Sequence, residues 1–178
     1  MKKNIAFAMF TAFILTSCSN SKDKDLLKIT DIEKTVFTNT AAPFNIEKAK
    51  ELVNAYTDFA KKYPKDTNSV NFLFKAANMS MNIALPKLSI ELFDKIINDY
   101  PTFNKVADCM FLKAFVYDDK LKNINKAREA YEVFLRKYPT HEFADDAKAC
   151  LDNLGKTTEQ LIQEFEAKQK ADSLVAKK

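Results

Sequence analysis

The chain's single histidine stands in Thr140-His141-Glu142-Phe143-Ala144-Asp145-Asp146. A histidine among carboxylates is the chemistry of a divalent-metal site or a general base. Here the acids fall at the start of a helix, where they complement its dipole, and His141 falls in the loop after Pro139, where an exposed imidazole is ordinary. A catalytic nucleophile needs an oriented base, and no motif surrounds this histidine, so neither a catalytic residue nor a metal site is expected. One glycine in 178 residues excludes the phosphate-cradling loops and dinucleotide folds that need positive φ, and no cofactor is expected.

Three cysteines remain as reactive groups: Cys18, Cys109 and Cys150. Cys109 and Cys150 fall on successive helices but about one turn, 5.4 Å, out of register. That offset disfavours a disulfide, and both read as buried free thiols. Cys18 follows Lys2, Lys3 and an apolar run from Ile5 to Leu15, which is too short to cross ~30 Å of hydrocarbon but fits a secretion signal. The segment Leu15-Thr16-Ser17-Cys18 resembles the lipobox of bacterial lipoproteins. The resemblance implies removal of residues 1–17 as a signal peptide, lipidation of Cys18, and a stable membrane anchor once two or three acyl chains are present. The formal charge then falls from +4 to +2, and lysines interleaved with acids in place of a dense basic stripe argue against a nucleic-acid partner.

The elements that must carry these residues begin after the cysteine. Ser19–Asp25 has no apolar residue and reads as a flexible tether; its lysine- and acid-rich composition is similar to the surface-export signal of some Bacteroidetes lipoproteins. Leu26–Val36 suits a short helix and Phe37–Phe44 a loop, so 18–44 form the lipidated cysteine and N-terminal segment.

From Asn45 the chain repeats. Three Tyr-Pro pairs, at 63–64, 100–101 and 138–139, lie 37 and 38 residues apart. Five residues before each proline stand Phe59, Ile96 and Phe134; eight before stand Tyr56, Phe93 and Tyr131. These offsets put large side chains on one face of a helix that the proline stops. Asn45, Pro86 and Asn123 are suited to start these three helices. Between them, Ser69–Leu85, Lys105–Tyr117 and Phe143–Leu154 read as a second helix type. Gly155 suits a helix C-terminus, and Thr157 with Gln160 suits a capping box opening a last helix.

The pattern over 45–155 resembles the tetratricopeptide repeat, with Ala77 and Ala114 where that family favours a small residue, and with Leu73 and Met110 where it favours Trp. The long period and Tyr-Pro ending are similar to the YbgF/BamD-like subset of envelope repeat proteins. The fold class implied is all-α: a tetratricopeptide-like solenoid of about three antiparallel helix pairs, with 156–178 as a C-terminal capping helix and tail. In this family the first, or A, helix of each pair lines a concave peptide groove. Carried over, Asn71, Phe74, Asn78 and Met81, then Asp108, Phe111, Phe115 and Asp118, then Asp145 and Lys148 would face it. The alternative for Phe74, Phe111 and Phe115 is packing between helices. The resemblance implies a lipid-anchored, non-enzymatic scaffold of the cell envelope, at the outer membrane, binding a peptide segment of another envelope protein. Its rivals are a BamD-like assembly factor and a carrier of an apolar small molecule or glycan.

Overall fold

The computed structural model describes residues 15–37 and 44–175. The described residues are helical throughout, with no strand: α1 (Leu15–Phe37), α2 (Ile46–Lys62), α3 (Thr67–Asn82), α4 (Pro86–Asp99), α5 (Val106–Phe115), a π-helical turn (Val116–Lys120), α6 (Ile124–Lys137), α7 (Ala144–Asn153) and α8 (Thr158–Val175). The all-α repeat class read from the Tyr-Pro spacing is the class found. Two compact units divide the chain at Ala76 and Ala77, within α3.

Each Tyr-Pro pair builds the same turn. Tyr63, Tyr100 and Tyr138 end their helices at φ −128°, −129° and −134°, and each donates its N–H to the carbonyl of the apolar residue four before it: Phe59, Ile96 and Phe134. Each tyrosine carbonyl then accepts the N–H three residues on, of Asp66, Phe103 and His141. Proline forces the stop, because the residue before it leaves the helical region. The starts follow local chemistry too. Asn45 and Asn123 accept the N–H groups of Lys48 and Lys126 at 3.0 and 3.1 Å, and Pro86 sits in the first turn of α4.

In the first unit, α1 packs along α2 through Ile29 and Ile32, against a core of Leu52, Val53, Tyr56, Phe59, Phe72 and Leu73. This corrects the tether: residues 19–25 are helical, and two of their charges, Lys22 and Asp25, are held. Lys22 pairs with Asp66 at 2.9 Å, and Asp25 accepts bonds from Lys62 at 2.7 Å and the Tyr63 hydroxyl at 2.9 Å. The first Tyr-Pro turn supplies partners for a segment that looks merely solvated when read alone. Residues 1–14 and 38–43, with most of the signal-peptide stretch, lie outside the described residues; Cys18 lies in the opening turns of α1.

In the second unit, α4, α5, α6 and α7 pack in sequence around Phe93, Ile96, Met110, Phe111, Tyr131 and Phe134. Ala77, Ala114 and Ala127 are fully buried, and the Ser89 hydroxyl donates to the Ala77 carbonyl at 2.9 Å, an approach that small side chains permit. Gly155 takes φ +81° past the end of α7. The capping box opening α8 forms, with Thr157 N–H to Gln160 Oε1 at 2.8 Å and Gln160 N–H to Thr157 Oγ1 at 3.3 Å. The covering role does not: Leu161, Ile162 and Phe165 are exposed, Phe165 by 62%. The apolar residues of α8 lie too sparsely among charges to form one burying stripe.

Candidate peptide groove

One groove of about 510 Å³ opens on the second unit, lined by Met81 of α3, by Phe111, Leu112 and Phe115 of α5, by Asp118 of the π-helical turn, and by Asp146, Ala149, Cys150 and Asn153 of α7. One helix of each pair contributes to it. Phe111, Phe115 and Asp118 come onto one side of their helix because they are spaced four and three residues apart. The helix widens at its end, where Leu121 N–H bonds the carbonyl of Val116 five residues before it at 3.0 Å. A π-helical turn is a recurrent mark of functional sites, and Asp118 lies inside this one.

The groove brings together Met81, Phe111, Phe115 and Asp118. Asn78 is half-buried in the same unit but is not among the lining residues; Asn71, exposed with its amide on the Thr67 carbonyl, and half-buried Phe74 belong to the first unit. Phe111 is mainly a core residue. It is 9% exposed, stacks on Phe143 at 4.8 Å between ring centres, and packs on Tyr131 and Phe134 at 5.9 and 5.7 Å.

Asp145 and Lys148 are off the groove and pair with each other at 2.9 Å in solvent. Asp108 also turns elsewhere, toward Lys105 at 3.7 Å and His141 at 3.4 Å. The physical reason for α7 is register. The proline before it, Pro139, stands 38 residues after Pro101, and matching Val106-Ala107-Asp108 to Phe143-Ala144-Asp145 assumes 37, a slip of about 100° on a helix. Counting from Pro101 and Pro139 pairs Phe111 with Ala149, Leu112 with Cys150 and Phe115 with Asn153, which are the residues lining the groove. The signal was in the prolines.

Asp118 is the groove's electrostatic feature. Burial pushes its carboxyl above the ordinary aspartate range, against the pull of Lys122. Lys122 itself lies 3.4 Å from Asp119, and Asp118 forms no ion pair among the described residues. Beneath it, Tyr131 is fully buried and its hydroxyl makes no hydrogen bond of ordinary distance and angle among the described residues. The polar groups acting on that hydroxyl are Cys150 and Asp118, both groove residues, and burial raises its pKa.

Cys150 and Cys109 are free thiols, as their offset suggests, but only Cys109 is buried; burial pushes it up to about 12, which leaves it inert. His141 is not the exposed loop residue its position suggests, packing edge-on to Phe134 and beside Tyr138 and Phe143. The ligating atoms of Asp108, His141 and Glu142 lie within 4.8 Å of one another. His141 Nδ1 accepts the Phe143 N–H at 3.3 Å and Nε2 lies 3.4 Å from Asp108, so both ring nitrogens are engaged within the chain.

A second recess, of about 350 Å³, lies on the α4–α6 side and is bordered by Lys113, Lys126 and Lys137. Lys113 is taken by Asp94 at 2.6 Å and Lys126 lies over the Tyr117 ring, so its basic edge is largely engaged within the chain.

The comparison with known families falls on the segment that forms the groove's middle. Residues 108–141 match the tetratricopeptide repeat family model. The match runs from α5 through the π-helical turn and α6 into the third Tyr-Pro turn. No curated protein matches the chain. Tetratricopeptide repeats generally mediate protein–protein binding, and α5, the first helix of the matched segment, lines the groove.

Proposed function

We propose that this is a lipid-anchored tetratricopeptide scaffold of the cell envelope, whose groove holds a peptide segment of another envelope protein without transforming it. The observation that carries the reading is the groove itself, an open trough to which α3, α5 and α7 each contribute, with Phe115 half-buried along it. An open trough suits a chain running through it better than a small molecule, which is ordinarily enclosed over most of its surface. A rigid, preformed surface also lowers the ordering cost of binding an extended or helical segment.

The lipobox-like segment supports the anchor, and the likeness to the envelope repeat subset supports its place at the outer membrane. Among the described residues no helix is long and apolar enough to cross a membrane. With Cys18 in α1 and Lys22 fixed on Asp66, acyl chains on Cys18 would hold the first unit close to the bilayer in place of a long leash.

The test has two arms. Mass spectrometry of the membrane-extracted protein should find Cys18 acylated as the first residue, and an intact residue 1–17 segment on an unmodified Cys18 removes the anchor. A photo-crosslinker placed at Phe115 in the native host should trap a discrete envelope protein that a crosslinker at Val133, in the other recess, does not trap. Equal trapping at both positions removes the groove assignment.

A further inference from the structure

Counted from their prolines, Tyr56 and Tyr131 hold the same repeat position, eight residues before; Lys75 and Cys150 also hold one position, eleven after. In the first unit these positions complete a set. Glu33 of α1 accepts the Tyr56 hydroxyl at 2.5 Å and the Lys75 ammonium at 2.8 Å on the same oxygen. In the second unit the corresponding hydroxyl meets Cys150 and Asp118 without a hydrogen bond of ordinary distance and angle to either. A cysteine stands where the repeat elsewhere places a lysine.

We propose that the second unit's groove takes a segment carrying a lysine or arginine beside apolar residues, and that this cation seats on Asp118 in the place Lys75 fills in the first unit. The inference rests on the groove reading above and names the chemistry of its occupant. Met81, Leu112 and Phe115 supply an apolar wall, while Asp118 and Asp146 supply two carboxylates. An acidic segment would meet both carboxylates with like charge. A wholly neutral one would finish burying Asp118 without a counter-ion, which is costly. A cation beside an apolar anchor meets both demands. The middle repeat, with Phe93 and Leu112 at the two positions, carries neither hydroxyl nor charge there and lacks the feature. Binding of this kind needs Asp118 ionised and is therefore lost as pH falls. The charged or titratable groups facing it are Lys122, Asp119, Tyr131 and Cys150, with Asp146 on the same groove.

The experiment selects random peptides displayed on phage against the immobilised full chain and remakes the enriched sequences as synthetic peptides. Enrichment in lysine or arginine next to apolar residues is expected. Affinity should fall about tenfold or more for Asp118→Asn and for Cys150→Lys, which supplies the ammonium internally, with helix content unchanged by circular dichroism. Replacing the peptide's basic residue by glutamine should cost the same and cost nothing further in Asp118→Asn. Enriched peptides that lack a basic residue, or that lose affinity with Phe115→Ala but not with Asp118→Asn, overturn the cation seat and leave the groove standing. No enrichment at all removes the groove reading and this inference with it.

Discussion

Tyr56 and Tyr131 occupy one position in two repeats, are both fully buried, and differ in what meets the hydroxyl. The first is closed by the chain itself: the Tyr56 hydroxyl and the Lys75 ammonium both donate to Glu33, and together they outweigh the burial that opposes the carboxylate, holding Glu33 below the ordinary glutamate range. The second is left open, its hydroxyl unbonded and its nearest carboxylate held above the ordinary range by burial. The difference is that one repeat position is satisfied within the chain while the same position under the groove is not, which is the contrast the cation-seat proposal rests on.

The largest expected effect comes from undercutting the open site. Phe111→Ala removes the ring on which Tyr131, Phe134 and Phe143 pack and should cost about 3–5 kcal/mol in denaturant unfolding, while Phe115→Ala should cost about 1 kcal/mol or less. Equal costs would place Phe115 in the core and close the groove. Next, Glu33→Ala strands the Tyr56 hydroxyl and should destabilise the protein by about 1–3 kcal/mol, with amide protection lost first in α1.

Removing each hydroxyl sharpens the contrast further. Tyr56→Phe should cost about 1–2 kcal/mol, whereas Tyr131→Phe removes a buried hydroxyl that makes no hydrogen bond of ordinary geometry and should be neutral or stabilising by about 1 kcal/mol. Equal losses would show that the second hydroxyl is satisfied after all.

The smallest effect is in acid. Glu33 and Asp25 have lowered folded pKa values, so their stabilisation is present above the unfolded carboxylate range and is lost as pH falls through the folded values. Asp118 is shifted the other way, so its protonation favours the folded state and begins at higher pH. Hydrogen exchange across an acid titration should therefore show α1 loosening at a pH where the π-helical turn is still protected.

The repeat, its stops and its buried aromatics were legible because each depends on residues within a dozen positions: a proline, a cap, a ring three or four residues away. α1 was not, because Lys22 and Asp25 find their partners at Asp66 and Lys62, some forty residues on, and local composition shows only charge. The groove was half legible. Helical spacing placed Phe115 and Asp118, while one extra residue between the last two prolines turned α7 so that Asp146 and Cys150, and not Asp145 and Lys148, face it. The orphaned hydroxyl of Tyr131 has no local signature at all, since an aromatic eight residues before a proline looks the same whether or not its oxygen is bonded.

The central claim is that Asp118 lacks the cation that Glu33 has. Its most direct test is the titration of the Asp118 carboxyl by carbon-detected NMR in the full chain and in Cys150→Lys. The account predicts a midpoint above the ordinary aspartate value in the native chain and a shift below it once the lysine is present. A midpoint already at or below the ordinary value, unmoved by the lysine, would contradict it.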